Sequence, residues 1–439
     1  MDADLIAGLV GIAALLILMV LRCPIAFAML LVGTGGLIYF MGLDPAITYI
    51  PSQLFKYLAK FTFIAVPLFL LMGYFTFHGG LTSDAFRVAR DWVGHLPGGL
   101  GIATVLANAA FGAAAGSSLA ACAAFSKIAV PEMVRSGYSM RLATGIVASA
   151  GGLAILIPPS IIMIIYGGLT ETSPGKLFIA GIIPGLVYVA VLSIAIIPLV
   201  RFSSTWKLQG KVPPPPPLRQ RLYGSYKLWG IFVLALIVIG GLYSGLVDPT
   251  EAAALGAFGA MLLALLLRKL NWPTFKDSVS STLHASSMIF LLLAGASVFS
   301  TFLTRSGLMA LVTTAIIELK VPLLALLGLL AVLYVILGMF LDSISMMVLT
   351  LPFVTPVMVD KGIDFIWFGV FITVLVEVGA ITPPVGLNIY VIKGVLRDQI
   401  SLEELFLGAT IFVPLILMVL VILIFFPELA TWLPGMMTH

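Results

Sequence analysis

Charge is what this sequence has least of. Only 10% of its 439 residues are Asp, Glu, Lys or Arg, where a soluble domain carries about 25%, so a soluble globular fold is excluded. Its two cysteines, Cys23 and Cys122, both sit in apolar sequence, which excludes a disulfide framework and assigns neither a role. Three of its four histidines, His78, His95 and His284, lie near the ends of apolar runs at no metal-ligand spacing, so they read as interfacial side chains. No GxxxxGK[ST], HExxH or GxSxG is present, and no GxGxxG opens a helix in a soluble context. With no catalytic constellation a membrane enzyme is disfavoured. With no nucleotide domain, energy for transport must come from an ion gradient, a partner, or nothing.

What is abundant is hydrophobicity, at 61% of residues with a mean hydropathy of +1.17. Apolar runs long enough to cross about 30 Å of hydrocarbon recur along the chain, the pattern of a polytopic all-α membrane protein. The opening Met1-Asp2-Ala3-Asp4 lacks a basic n-region, so Leu5–Leu21 reads as a retained first span rather than a signal peptide. Pro24–Met41 and Phe61–Phe77 follow, then a basic amphipathic connector bearing Arg87 and Arg90. The segment Pro97–Gly137 is too long for one span and is interrupted at Gly112–Ser118, as two half-helices meeting at a re-entrant tip would be. Arg141–Gly168 is broken at Gly151-Gly152 and Pro158-Pro159, since paired prolines remove two amide donors and clash with the preceding turn. Leu177–Val200 closes the first half.

A polar linker, Arg201–Lys227, carries five consecutive prolines at Pro213–Pro217, a run that reads as a stiff polyproline spacer. Beyond it come Leu228–Tyr243, Thr250–Leu267 and Ser281–Leu303. A second interrupted segment, Pro322–Gly362, breaks near Gly338–Ser343; a second broken span is Ile363–Val391, and Leu405–Phe426 ends the series.

The two halves repeat. At an offset of 225, Pro24, Pro97, Pro131, Pro158 and Pro159 meet Pro249, Pro322, Pro356, Pro383 and Pro384, where chance gives about 0.6 coincidences. Residues 1–200 and 228–439 are therefore duplicated units on either side of the linker at 201–227. Each half holds five crossings and one hairpin, and an odd count inverts the second half relative to the first. Placing the linker in the cytoplasm puts 17 of the 23 basic residues on that side and 6 opposite. The positive-inside rule selects this orientation, with both termini outside.

Interrupted helices in corresponding halves mark the binding site of a secondary transporter, because broken backbone at membrane depth survives only facing protein or a watery cavity. Unwound segments expose carbonyl oxygens for a cation, and helix N-termini favour an anion. Ser117, Ser118, Ser160, Ser343 and Thr382 add hydroxyls, with packing of small residues as the alternative. Asp342 falls at the second tip, where a carboxylate in apolar sequence is a functional candidate and, compatibly, a cap for the helix beginning at Ser343. Arg305, at the outward end of a span, is either a bidentate fork for a carboxylate or a snorkelling interfacial cation; the residues alone favour the latter. Glu377, in the second broken span, either binds a cation or pairs with a buried donor.

Several motifs in order resemble the large membrane subunit of tripartite ATP-independent periplasmic (TRAP) transporters. They are Gly112–Ser118 running through Lys127–Met133 to Gly137-Tyr138, Ile157–Ser160, Leu246–Ala254, and Ile381–Asn388. They span essentially the whole length, with the proline-bearing linker as a departure that bears on partner contacts. The resemblance implies an inverted-repeat, elevator-type, sodium-driven importer of organic acids in the bacterial inner membrane. Its partners would be a periplasmic substrate-binding protein and a small four-helix membrane subunit, with no nucleic acid. The scaffold would be residues 5–60 and 228–270. The moving part would be the hairpins 97–137 and 322–362 with the broken helices 141–168 and 363–391. Substrate contacts would fall to Arg305, Asp342, Ser160, Ser343 and Asn388. Sodium, as coupling ion, would take Ser117, Ser118, Ala154 and Ile157 in one half and Gly338, Gly379 and Thr382 in the other. A standalone sodium/dicarboxylate symporter of the same architecture and a channel are the competing readings.

Overall fold

The computed structural model describes residues 3–202 and 214–437. The linker's 203–213 lie outside the described residues, and with them Pro213, the first proline of the expected spacer; Pro214–Pro217 are described and lead into the helix that begins at Leu218. Among the described residues the secondary structure is entirely helical. Eight helices are long and apolar enough to cross a membrane, or nine when Met140–Leu156 and Ile161–Thr170, bent by 46°, are taken as one span.

Helix boundaries recur at the 225-residue offset. Ser118–Arg135 corresponds to Ser343–Asp360, and Met140–Ala150 to the start of Phe365–Ile381. The capping residues recur with them. Ser139 accepts from the Leu142 amide at 3.2 Å, and Asp364, 225 residues on, accepts from the Ile366 and Trp367 amides at 2.7 and 3.0 Å. Such caps satisfy amide donors that the first turn of a helix leaves unpaired. The Leu246–Ala254 motif has a local cause of the same kind. Asp248 accepts from the Thr250 and Glu251 amides while Glu251 accepts from the Asp248 amide, a capping box that starts Pro249–Leu266.

Some expected boundaries move. The helix expected from Leu228 begins at Leu218, inside the expected linker, and the Trp92 indole donates to Ser225 at 2.8 Å to hold that extension. The span expected at Ser281–Leu303 belongs to one 34-residue helix, Trp272–Arg305. Its first-half counterpart is two helices, Leu43–Leu58 and Phe61–His78, the former not anticipated as a helix. At the break between them the Lys60 ammonium donates to the Gly168 carbonyl at 2.8 Å.

Ile25–Met41 packs along Trp272–Arg305, and the helix ending at His78 packs on Pro249–Leu266. His78 joins this group through Ser278 (2.8 Å) and Asp277 (3.2 Å). The hairpins cross over between halves. Ser118–Arg135 lies against Leu387–Leu396 of the second broken helix, and Ser343–Asp360 lies against Ile161–Thr170 of the first.

Candidate transport site

Each hairpin tip is built by a stop and a start. Gly99–Ala115 ends at Gly116, whose φ of 64° suits a residue without Cβ; an added one would stand 2.8 Å from the Pro159 carbonyl. Ser117 then caps the next helix, accepting from the Ala120 amide at 3.4 Å. In the second hairpin the cap is Asp342, at the equivalent position (117 + 225 = 342). Its Oδ1 accepts from the Ile344 and Ser345 amides, both at 3.0 Å, and the Ser345 hydroxyl donates to Oδ2. The capping reading of Asp342 is thus realised.

The breaks are built as the prolines dictate. Leu153–Leu156 is a single turn, so its carbonyls lie within the last four of a helix; that of Leu153 accepts from the Ile157 amide at 2.9 Å, while Pro158 and Pro159 offer no amide to those of Ala154 and Ile155. Ile157 and Thr382 are extended where the two helices stop, and Pro158-Pro159 and Pro383-Pro384 are both cis. Ser160 is fully buried and caps Ile161–Thr170, accepting from the Met163 amide at 3.3 Å. Thr382 donates to the Val378 carbonyl at 2.5 Å. The tips are clipped to the breaks by backbone bonds, Ile161 N to Gly116 O at 3.4 Å and Val385 N to Met339 O at 3.1 Å. Gly338 and Gly379 make one such junction: a Cβ on Gly338 would sit 2.4 Å from the Gly379 Cα.

Between the tips lies a cavity of about 450 Å³ whose wall includes Ser117, Ser118, Asp342, Ser343 and Asn388. The structure thus gathers five of the expected site residues from both halves. Ala154, Ile157, Gly338, Gly379 and Thr382 belong to the breaks and junctions behind that wall, and Ser160 is spent as a buried cap. Facing the tips across the cavity are Leu70, Gly73 and Tyr74 on one side and Ala285, Met288 and Ile289 on the other, apolar positions that carried no chemical signal in the sequence.

Arg305 departs from the expectation. It is exposed, with its guanidinium 5.6 Å from the Tyr49 ring centroid, and it forms no part of the cavity wall. The cause is the unbroken helix: Arg305 follows Ile289 by 16 residues on one continuous run, about 24 Å at 1.5 Å per residue. Glu377 takes the paired alternative. Asn388 Nδ2 donates to its Oε1 at 2.6 Å, and both residues are buried. Room for Glu377 comes from Gly152, where a Cβ would stand 2.4 Å from the Glu377 Cγ. These two positions are equivalent (152 + 225 = 377), so the repeat brings one residue against its own counterpart, and one of the two must lack a side chain. The doubled Gly151-Gly152 was the available signal; its partner was not legible until the halves were folded together.

Over residues 12–429 the sequence matches the family described as the tripartite ATP-independent periplasmic transporter, DctM component. It is 35% identical over 411 residues to a C4-dicarboxylate TRAP transporter large permease, DctM, of Pseudomonas aeruginosa, covering 92% of this chain and 93% of that one. It is 30% identical over 414 residues to a sialic acid TRAP transporter large permease, SiaM, of Vibrio cholerae, covering 94% of each. Its fold is similar to the crystal structure of the YdaH transporter of Alcanivorax borkumensis, with a TM-score of 0.64 at 16% identity over 90% of both chains.

Proposed function

As the chain belongs to the DctM-component family of tripartite ATP-independent periplasmic transporters and is a multi-pass membrane permease, we propose that it imports an organic acid on an inward sodium gradient. The observation that supports this reading best is the cavity shared by both hairpin tips. Two 18-residue helices begin there, at Ser118 and Ser343. Their positive ends favour an anion, while the carbonyls freed at the two breaks favour a hard cation. One sodium would use Ser117 and Ser118 with the Ala154 and Ile157 carbonyls, and the other Thr382 with the Gly338 and Gly379 carbonyls. The substrate carboxylate would meet Ser343, Asn388 and the helix end capped by Asp342, with Ser160 holding the first break in shape. The substrates named for the relatives make a C4-dicarboxylate or a sialic acid the leading classes.

In this proposal the hairpins and broken helices travel as an elevator past a scaffold containing Ile25–Met41, Pro249–Leu266 and Trp272–Arg305. The hairpins are re-entrant and the halves inverted. The present cavity abuts Ala285–Ile289. Travel toward the far end of that helix would bring it nearer Arg305, where the fork could receive substrate from a periplasmic binding protein. A small four-helix membrane subunit would brace the scaffold, in the inner membrane, with both termini periplasmic.

The test is uptake of radiolabelled organic acids into proteoliposomes with the small subunit co-reconstituted. Uptake that requires both sodium and the binding protein is expected. Sodium-driven uptake without a binding protein would point to a standalone symporter, and flux without sodium coupling to a channel.

A further inference from the structure

The linker Arg201–Lys227 carries six basic residues and no acidic one. Its described end is helical from Leu218 and runs on into the span that ends at Tyr243, 26 residues in all. At 1.5 Å per residue that is about 39 Å, more than the roughly 30 Å of hydrocarbon. From Leu228 to Tyr243 no residue is charged, so the excess length falls at the basic end. The turns Leu218–Ser225 therefore stand at headgroup depth.

The two faces of these turns differ. One is tied to the amphipathic helix Leu81–Val93. Trp92 Nε1, at its end, donates to Ser225 Oγ at 2.8 Å, and a Cβ on Gly224 would stand 3.7 Å from Asp91 Oδ2. Ser225 donates to the Arg221 carbonyl, and Arg221 Nε to the Pro216 carbonyl, each at 2.8 Å. On the other face Leu218, Leu222, Tyr223 and Tyr226 are 56–75% exposed, with Arg219 among them. Neither Arg219 nor Lys227 forms an ion pair among the described residues. Leucines and tyrosines beside unpaired cations, turned outward at the end of a span, suit the membrane interface, where rings and snorkelling cations collect.

We propose that this end of the linker is a foot for anionic phospholipid: Leu218, Leu222, Tyr223 and Tyr226 enter the leaflet interface, and Arg219 and Lys227 take headgroup phosphates. The negative surface potential of such lipids draws basic residues next to a span. Through Trp92 and Ser225 the foot holds Leu81–Val93, which packs along Gly99–Ala115 of the first hairpin. Bound lipid thus fixes the depth of the helix on which that hairpin rests. The foot requires only a chain that spans a membrane, and neither sodium nor a carboxylate substrate.

The test uses the full chain with its small subunit. In detergent micelles, phosphatidylglycerol should raise the melting temperature, as a ligand of the folded state does, and more than phosphatidylethanolamine at the same concentration. Arg219→Gln and Lys227→Gln should each raise the half-saturating phosphatidylglycerol concentration about fivefold and leave the lipid-free melting temperature unchanged. An equal response of the wild type and the double variant would overturn the headgroup contacts. For the apolar face, Cys23 and Cys122 are replaced by alanine and a fluorophore is attached at Leu222→Cys, in vesicles of phosphatidylcholine and phosphatidylglycerol. Quenching by spin-labelled lipid and not by aqueous iodide is expected. Quenching by iodide alone would place the face in water. Protection from both that is lost when the small subunit is omitted would give the face to that protein. Either result would overturn the proposal.

Discussion

Asp342 shows how one side chain can serve structure and site together. Replacing it with Ala removes both capping bonds, at about 0.5–2 kcal/mol, whereas Asn keeps an acceptor for the cap. Asp342→Ala should therefore lower the melting temperature, and Asp342→Asn should not. If the carboxylate also serves transport, uptake should fall about tenfold or more in both, a rise of about 1.4 kcal/mol in the barrier. Wild-type uptake by Asp342→Asn would leave the residue a cap and nothing more. Gly152→Ala asks the complementary question, since the new methyl would meet the Glu377 Cγ at 2.4 Å. Overpacking of this kind costs about 1–3 kcal/mol, to be read as a lowered melting temperature. At this scale the sequence was most opaque. Asp342 and Glu377 stood out as carboxylates in apolar stretches, but only the fold decides that one caps a helix and the other pairs with Asn388. Arg305 had the right chemistry for a carboxylate and the wrong distance, because nothing local to residue 305 records that the helix runs unbroken back to Trp272.

Elements were more legible, because prolines and glycines act through the backbone. Pro158-Pro159 and Pro383-Pro384 end helices wherever they sit, and Gly116 and Asp342 mark turn and cap by their own chemistry. Helices whose limits depend on packing were not legible. Leu43–Leu58 and the extension Leu218–Lys227 are held by contacts distant in sequence, such as the Trp92 to Ser225 bond. A pair of glycines on one helix tests how close the hairpin must approach the second broken helix. A Cβ on Gly338 would meet backbone of Gly379 at 2.4 Å, while one on Gly328 would meet nothing within 4 Å. Gly338→Ala should sharply lower melting temperature and folded yield. Gly328→Ala should raise stability by about 0.5–1 kcal/mol, the ordinary gain of Ala over Gly in a helix. Equal behaviour of the two would mean that the junction is loose.

At the scale of the molecule, the duplicated chain forms one cavity, its tips supplied by both halves and its far wall by two further helices. That far wall is fixed in the proposed account, and the tips move along it. The most direct test joins the two surfaces. Leu119, on the first hairpin, and Met288, on the long helix, are 40% and 61% exposed and both line the cavity. Cysteines placed at these two positions, linked by a short bifunctional thiol reagent in proteoliposomes, should abolish sodium-driven uptake, and cleavage of the linker should restore it. Each single-cysteine variant treated identically should keep its activity. Undiminished uptake by the fully cross-linked protein would contradict a hairpin that travels past its scaffold.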